Sequence, residues 1–252
     1  MWENFFGYVT EHGTGRSVEL FTWHHYMLIG FGVLAVFLPL HFSRAIYQSK
    51  YEKRVRNGVF IWLIFLELVY HAHNWYNGRF SLPLHICSFA VLMNLALLKT
   101  NSQRIFEYVF FFGVLGGSMA LLVPFSYGFP YYNVRYHHFI LIHMTIIMIP
   151  LYYYKAYNFR VTLRATYKTF IMVLLVAPVI YNINKALSNL GETTQANYWF
   201  VTEIPDNVDM IFSNHLIYIG VLLSVIYVSQ MFLYKISNRN SGDSIEHEHQ
   251  NT

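Results

Sequence analysis

Seven apolar stretches, at 23–42, 58–75, 82–98, 105–123, 137–154, 170–187 and 211–234, divide this chain of 252 residues. Each approaches the roughly 20 residues that an α-helix needs to cross a hydrocarbon layer about 30 Å thick. They are too long for strands and lack two-residue alternation, and backbone facing lipid must satisfy its own hydrogen bonds, so helices are expected. Composition agrees, with 55% of residues hydrophobic and 12% charged, against about a quarter charged in a typical soluble domain. The expected fold is all-α: a polytopic membrane helix bundle of about seven transmembrane helices. Residues 1–20 are expected as an extracytoplasmic segment, 21–237 as the membrane domain and 238–252 as a disordered polar tail.

Lysines and arginines set the expected orientation. The connections after the first, third and fifth stretches and the tail carry Arg44, Lys50, Lys53, Arg54, Arg56, Lys99, Arg104, Lys155, Arg160, Arg164, Lys168, Lys235 and Arg239. The other side carries Arg16, Arg79, Arg135 and Lys185. The positive-inside rule then places the N-terminus outside and the C-terminus in the cytoplasm, with the cell membrane as the expected location. The first residues lack the basic start and immediate apolar core of a cleavable signal peptide, so no segment is expected to be removed. A net charge of +4 gives no sign of a nucleic-acid partner, and the single cysteine, Cys87, excludes an intrachain disulfide and a multi-cysteine zinc site.

Ionisable side chains within a bilayer are costly, so their positions point to function. His24, His25, His71, His73, His85, His137, His138, His143 and His215 all fall in the outer halves of the expected helices or at the adjoining interface. His24, His25, His137 and His138, at helix entrances, read as interfacial anchors. Glu67 lies halfway along the second span, and at helical spacing Glu67, His71 and Asn74 share one face. That stripe is either a structural network between helices or a scaffold that orients a catalytic imidazole. Gly113, Gly116, Gly117 and Ser118 give the fourth span a small-residue face for close approach of a neighbour. Tyr152, Tyr153 and Tyr154 read as an inner aromatic belt, and the aromatic connection 124–132 as a segment that lies in the headgroup layer or lids a lipid site.

The third span opens Leu82-Pro83-Leu84-His85-Ile86-Cys87-Ser88. Pro83 suits the first turn of a helix and leaves the following N–H groups free for an oxyanion, which places Cys87 about one turn inside the outer boundary. A lone membrane cysteine is either a small apolar filler or a nucleophile. His85 and Cys87 are two apart, about 200° around a helix, so they face one point only if the helix start is irregular. The base is therefore expected from another helix. His143 enters the fifth span from the same side to a comparable depth, and a thiol within reach of an imidazole is the minimum apparatus for acyl transfer through a thioester. Two other readings stand beside it. One is a metal-dependent membrane enzyme with iron or zinc held by His71, His73, His85, His143 and Glu67. The other is a non-enzymatic lipid transporter or partner-binding membrane protein with a histidine-lined outer cavity.

The segment Leu82-Pro-Leu-His-Ile-Cys87, the fifth-span His143, and Ala196-Asn-Tyr-Trp-Phe200 followed by Ile204-Pro205 resemble the YwaF-like bacterial integral membrane proteins, whose eukaryotic relative is transmembrane protein 164. The resemblance implies a seven-helix membrane protein. Through the eukaryotic relative it implies an acyltransferase that moves fatty acyl chains between phospholipids using a cysteine and a histidine. No cofactor and no metal are expected. Carried onto this chain, Cys87 is the nucleophile and His143 the base. Independently of the resemblance, His85 or the N–H groups after Pro83 are expected to stabilise the oxyanion. Glu67, His71, Asn74, Asn197 and Tyr198 are then expected to support the pair or touch substrate. The expected donor is a membrane lipid and the expected acceptor a lipid or lipid-like molecule.

Overall fold

The computed structural model describes residues 5–7, 21–79, 82–124, 129–189, 196–205 and 211–249, with side chains described to residue 239. Among these residues the elements are seven helices and one short 3-10 turn. Helices α1 (Trp23–Gln48), α2 (Glu52–Tyr76), α3 (Ile86–Thr100), α4 (Gln103–Leu122), α5 (Val134–Ala156), α6 (Leu163–Ser188) and α7 (His215–His249) follow one another up and down. Six are long and apolar enough to cross a membrane, while α3 has 15 residues. The segment 1–20 lies outside the described residues except for 5–7, as do 125–128 of the aromatic connection. The expected polar tail overlaps the end of α7, whose backbone is helical to His249.

Helix starts follow from capping. The side chains of Thr22, Ser102, Asn133 and Thr162 accept from the N–H groups of His25, Ile105, Arg135 and Ala165, which satisfies donors that the first turn leaves free. Several helices extend past the apolar stretches into the basic connections, because polar side chains outside the hydrocarbon do not interrupt backbone pairing. α3 is the exception. It was expected from residue 82 but starts at Ile86, with His85 extended at φ −63°, ψ 149°. Pro83 is therefore three residues ahead of the helix, and Cys87 is its second residue instead of lying a full turn inside.

α5 is the central helix: 56% of its span is buried, against 11% for α2 and α7. Its Ile146, Ile147 and Tyr153 join Leu97, Phe106 and Phe111 of the neighbouring helices in the core, all essentially inaccessible. α4 approaches α5 closely along the expected small-residue face. A Cβ at Gly113 would collide with the Ile146 carbonyl oxygen, and one at Gly117 would lie 2.6 Å from Ile147 Cγ1 and 3.1 Å from the His143 oxygen. α4 widens into a π-helical turn at Phe112–Gly116 over this contact, a local adjustment common at functional sites.

The connections at 49–51, 101–102 and 157–162 share one end of the bundle with most of the lysines and arginines; it is called here the basic end. There Glu52 Oε1 accepts from Arg56 Nε at 3.0 Å, Tyr157 Oη at 2.9 Å and Tyr152 Oη at 3.2 Å. Arg56 also donates to the Leu98 carbonyl at 2.7 Å and Asn101 Oδ1 at 2.9 Å, and Tyr153 Oη donates to that same oxygen at 2.6 Å. Tyr152 and Tyr153 are thus part of a network joining α2, α3 and α5, in which Glu52 and Asn101 give their hydroxyls partners inside the bundle.

Candidate functional site

At the end opposite the basic one, α2 to α7 line a partly open cavity of about 760 Å³, within the usual range of about 300–1,000 Å³ for ligand pockets. Cys87, His143, His85 and Glu67 all line it. The cavity faces the N-terminus of α3. No side chain caps that end, and the first helical bond runs from Phe89 N–H to the His85 carbonyl. The N–H groups of Ile86, Cys87 and Ser88 precede that bond, so they have no partner within the helix. Irregular backbone at membrane depth is tolerated where it lines a cavity, which is the position of residues 82–85.

Two aromatic side chains hold the irregular segment in place. Leu82 N–H donates to Tyr198 Oη at 3.0 Å, and Trp199 Nε1 donates to the Leu84 carbonyl at 2.8 Å. These tertiary bonds supply the partners that an extra helical turn would otherwise have provided, which is why α3 starts late. Tyr198 is fixed in turn by Asn184 of α6, which accepts from Tyr198 N–H at 3.1 Å and donates to its carbonyl at 3.0 Å. Burial pushes the Tyr198 phenol above its ordinary value, so it stays neutral. Trp199 and Phe200 have φ of 61° and 54°, a left-handed conformation costing about 1–3 kcal/mol per residue that persists only where neighbours impose it.

Cys87 Sγ lies 3.1 Å from His143 Nε2, the contact that matching depth had allowed. His143 Nδ1 lies 2.6 Å from the Phe139 carbonyl oxygen. A carbonyl only accepts, so Nδ1 carries the proton and Nε2 presents its lone pair to the thiol. His143 is 6% exposed, which keeps competing water from that lone pair. The helix N-terminus favours negative charge on the adjacent sulfur by about 0.3–2 kcal/mol. Together these groups set a hydrogen-bond acceptor against the thiol at the edge of an apolar cavity.

The extended backbone at His85 resolves the expected conflict of direction. Its ring packs on Tyr198 at 4.7 Å between centroids and lines the same cavity as Cys87. Glu67 pairs with His71 at 3.4 Å, so the expected stripe exists, but only Glu67 of its three members lines the cavity. Asn74 is buried, and its carbonyl accepts from Asn77 and Arg79 N–H groups. Asn197 turns into its own loop, where Oδ1 accepts from Thr202 and Glu203 N–H groups and Nδ2 donates to the Glu203 carbonyl. It supports the segment bearing Tyr198 and Trp199 and does not line the cavity.

Arg135 and His138, on the first turns of α5, also line the cavity, Arg135 with its guanidinium 4.1 Å from the Tyr70 ring centroid. As a sequence position Arg135 reads only as one of the few charges outside. His138 and His25 correct the expectation of interfacial anchoring, since both are buried. His25 ties α1 to α4 by accepting from Phe21 N–H at 2.9 Å and donating to the Leu122 carbonyl at 2.8 Å. His24, by contrast, is exposed and stacks on Tyr131. Among the described residues no three His, Cys, Asp or Glu side chains are grouped as a metal ion would need, so the ligand set imagined on His71, His73, His85, His143 and Glu67 is not assembled.

No curated protein and no solved structure matches the chain. A family model does, over residues 20–234, which takes in helices α1 to α6, most of the apolar part of α7, the Cys87–His143 pair and the loop that holds it. With more than half of its length so matched, and in keeping with the likeness to transmembrane protein 164 that the motifs carry, this chain belongs to the TMEM164 family.

Proposed function

We propose that this membrane protein is an acyltransferase or transacylase that moves a fatty acyl chain between membrane lipids through a thioester on Cys87. The observation that supports this best is the 3.1 Å approach of Cys87 Sγ to His143 Nε2 at an uncapped helix N-terminus inside a lipid-sized apolar cavity. His143 Nε2 takes the thiol proton as Sγ attacks the ester carbonyl of the donor lipid, and the tetrahedral oxyanion is held by N–H groups at the start of α3 and by His85. Collapse breaks the ester C–O bond, and the imidazolium returns its proton to the leaving alkoxide. An acceptor hydroxyl then gives its proton to His143 and attacks the thioester carbonyl, and the imidazolium reprotonates the departing thiolate. Donor, acceptor and enzyme balance with no cofactor.

The same reading puts the site toward the outer leaflet of the cell membrane, with the N-terminus outside and the C-terminus in the cytoplasm, because the basic end lies away from the cavity. It also divides the chain into an extracytoplasmic 1–20, a membrane domain 21–237 and a polar tail 238–252. Glu67 and His71 adjoin the cavity as an oriented pair, and Tyr198 positions the segment carrying Cys87. The test is intact mass spectrometry of purified protein incubated with mixed phospholipids. A hydroxylamine-labile acyl adduct on the native protein, absent in Cys87→Ser and His143→Ala, is the expected result. Full acyl transfer by either variant would sink the mechanism.

A further inference from the structure

The cavity is longer than the chemistry requires. Cys87 lies thirteen residues from Thr100 at the basic end of α3, and His143 thirteen from Ala156 at the basic end of α5; both are therefore about 20 Å from that end at 1.5 Å per residue. Gln230 also lines the cavity, on α7. It is seven residues from Ser237, whose hydroxyl accepts from Val161 N–H at the basic end, so it stands only about 10 Å from that end and about 10 Å deeper than the reactive pair. Between the two levels the wall is apolar, formed by Val91, Phe111, Val173 and Ile226. At the bottom this changes. Ser229 and Gln230 line the floor, and Gln230 is 2% exposed with an Oε1 that has no hydrogen-bond partner among the described residues.

An apolar shaft ending on an unpartnered amide discriminates by length. Each methylene placed against Val91, Phe111, Val173 or Ile226 leaves water for hydrocarbon, whereas a methylene pressed on Gln230 buries an amide oxygen without a partner, which is unfavourable. We propose that Gln230 is the floor of an acyl channel and sets the chain length this protein accepts. The inference rests on the acyl-transfer reading above and adds to it a residue that selects the substrate. An extended hydrocarbon advances about 1.25 Å per carbon when its bonds are about 1.5 Å long. The descent of about 10 Å, with a sideways step of up to about one interhelical spacing, therefore takes about eight to eleven carbons.

The experiment measures equilibrium binding of straight-chain fatty acids, from octanoate to stearate, to the full-length Cys87→Ala protein by native mass spectrometry. No chemistry is needed for this readout. Affinity should rise about threefold to fourfold per added carbon and then flatten abruptly. In Gln230→Ala the break should move to chains about two to three carbons longer, the length of the side chain removed, and in Ile226→Phe, one helical turn above, to shorter ones. A break that stays in place in both variants overturns the proposal, and so does an affinity that climbs evenly to stearate or no binding at any length. The acyl-transfer reading is judged separately, by the adduct on native Cys87. An unshifted break alongside a normal adduct removes only the floor, and a shifted break with no adduct leaves a chain-binding channel without the chemistry.

Discussion

Substituting Gly113 with alanine should disable the Cys87–His143 pair without touching either residue. The new Cβ would fall inside 3.0 Å of the Ile146 carbonyl oxygen and 3.2 Å from Pro150 Cγ. The first of these is backbone and cannot rotate away, so α5 must withdraw from α4 by about an ångström to restore ordinary contact. Ile146 is one turn along α5 from His143, and the shift takes His143 Nε2 from 3.1 Å toward about 4 Å from the sulfur, past useful hydrogen-bond reach. Overpacking of this kind costs about 1–3 kcal/mol, partly offset by up to about 1 kcal/mol of helix propensity. A misplacement of about an ångström in a catalytic geometry costs roughly a hundredfold in rate. Because Cys87 is the only cysteine, its alkylation by iodoacetamide reports the geometry directly, and thermal unfolding reports the packing. Gly116→Ala is the matched control, since its Cβ meets only the Ile86 Cγ2 methyl at 3.4 Å. The expected pattern is a Cys87 alkylation rate lowered tenfold to a hundredfold, with reduced stability, in Gly113→Ala, and native behaviour in Gly116→Ala. Equal rates and melting in Gly113→Ala and the native protein would refute the reasoning.

Other outcomes follow from the same contacts. Asn184→Leu removes the bonds to Tyr198 and Thr202 and leaves buried backbone groups unpaired, so thermal stability should fall by about 2–4 kcal/mol and Cys87 alkylation should slow as residues 82–85 loosen; an unchanged melting curve would contradict this. Glu52→Gln weakens three contacts at the basic end and should cost about 1–3 kcal/mol with the Cys87 alkylation rate native, because that network lies about 20 Å away; slowed alkylation would show that the two ends are coupled. In a Cys87→Ser background, a single cysteine at Gly78 should react with an impermeant maleimide on intact cells, whereas one at Lys50 should react only after permeabilisation; the reverse pattern would invert the proposed orientation.

The seven apolar helices and their basic connections are legible in the sequence, because transfer to hydrocarbon is a local property of the chain. So is the suspicion that falls on Cys87 and His143, which share a depth simply because their helices enter from the same side. Which way a side chain turns was not legible. In a soluble helix a hydrophobic stripe marks the buried face, but lipid is as apolar as a protein core, and α5 is apolar nearly all round. His138 and His137 are neighbours in sequence, yet one is buried and the other exposed. Arg135 and Gln230 look like a boundary charge and a stray amide until α2 and α7 close a cavity around them. The late start of α3 depends on Tyr198 and Trp199, more than a hundred residues away. The sequence by itself determined that the chain is a bundle of apolar helices and how far along each helix its polar groups lie, since both follow from the cost of polar atoms in hydrocarbon. Only the tertiary structure decided which of those groups meet, since that depends on helix rotation and on small residues such as Gly113 and Gly117 letting backbones approach.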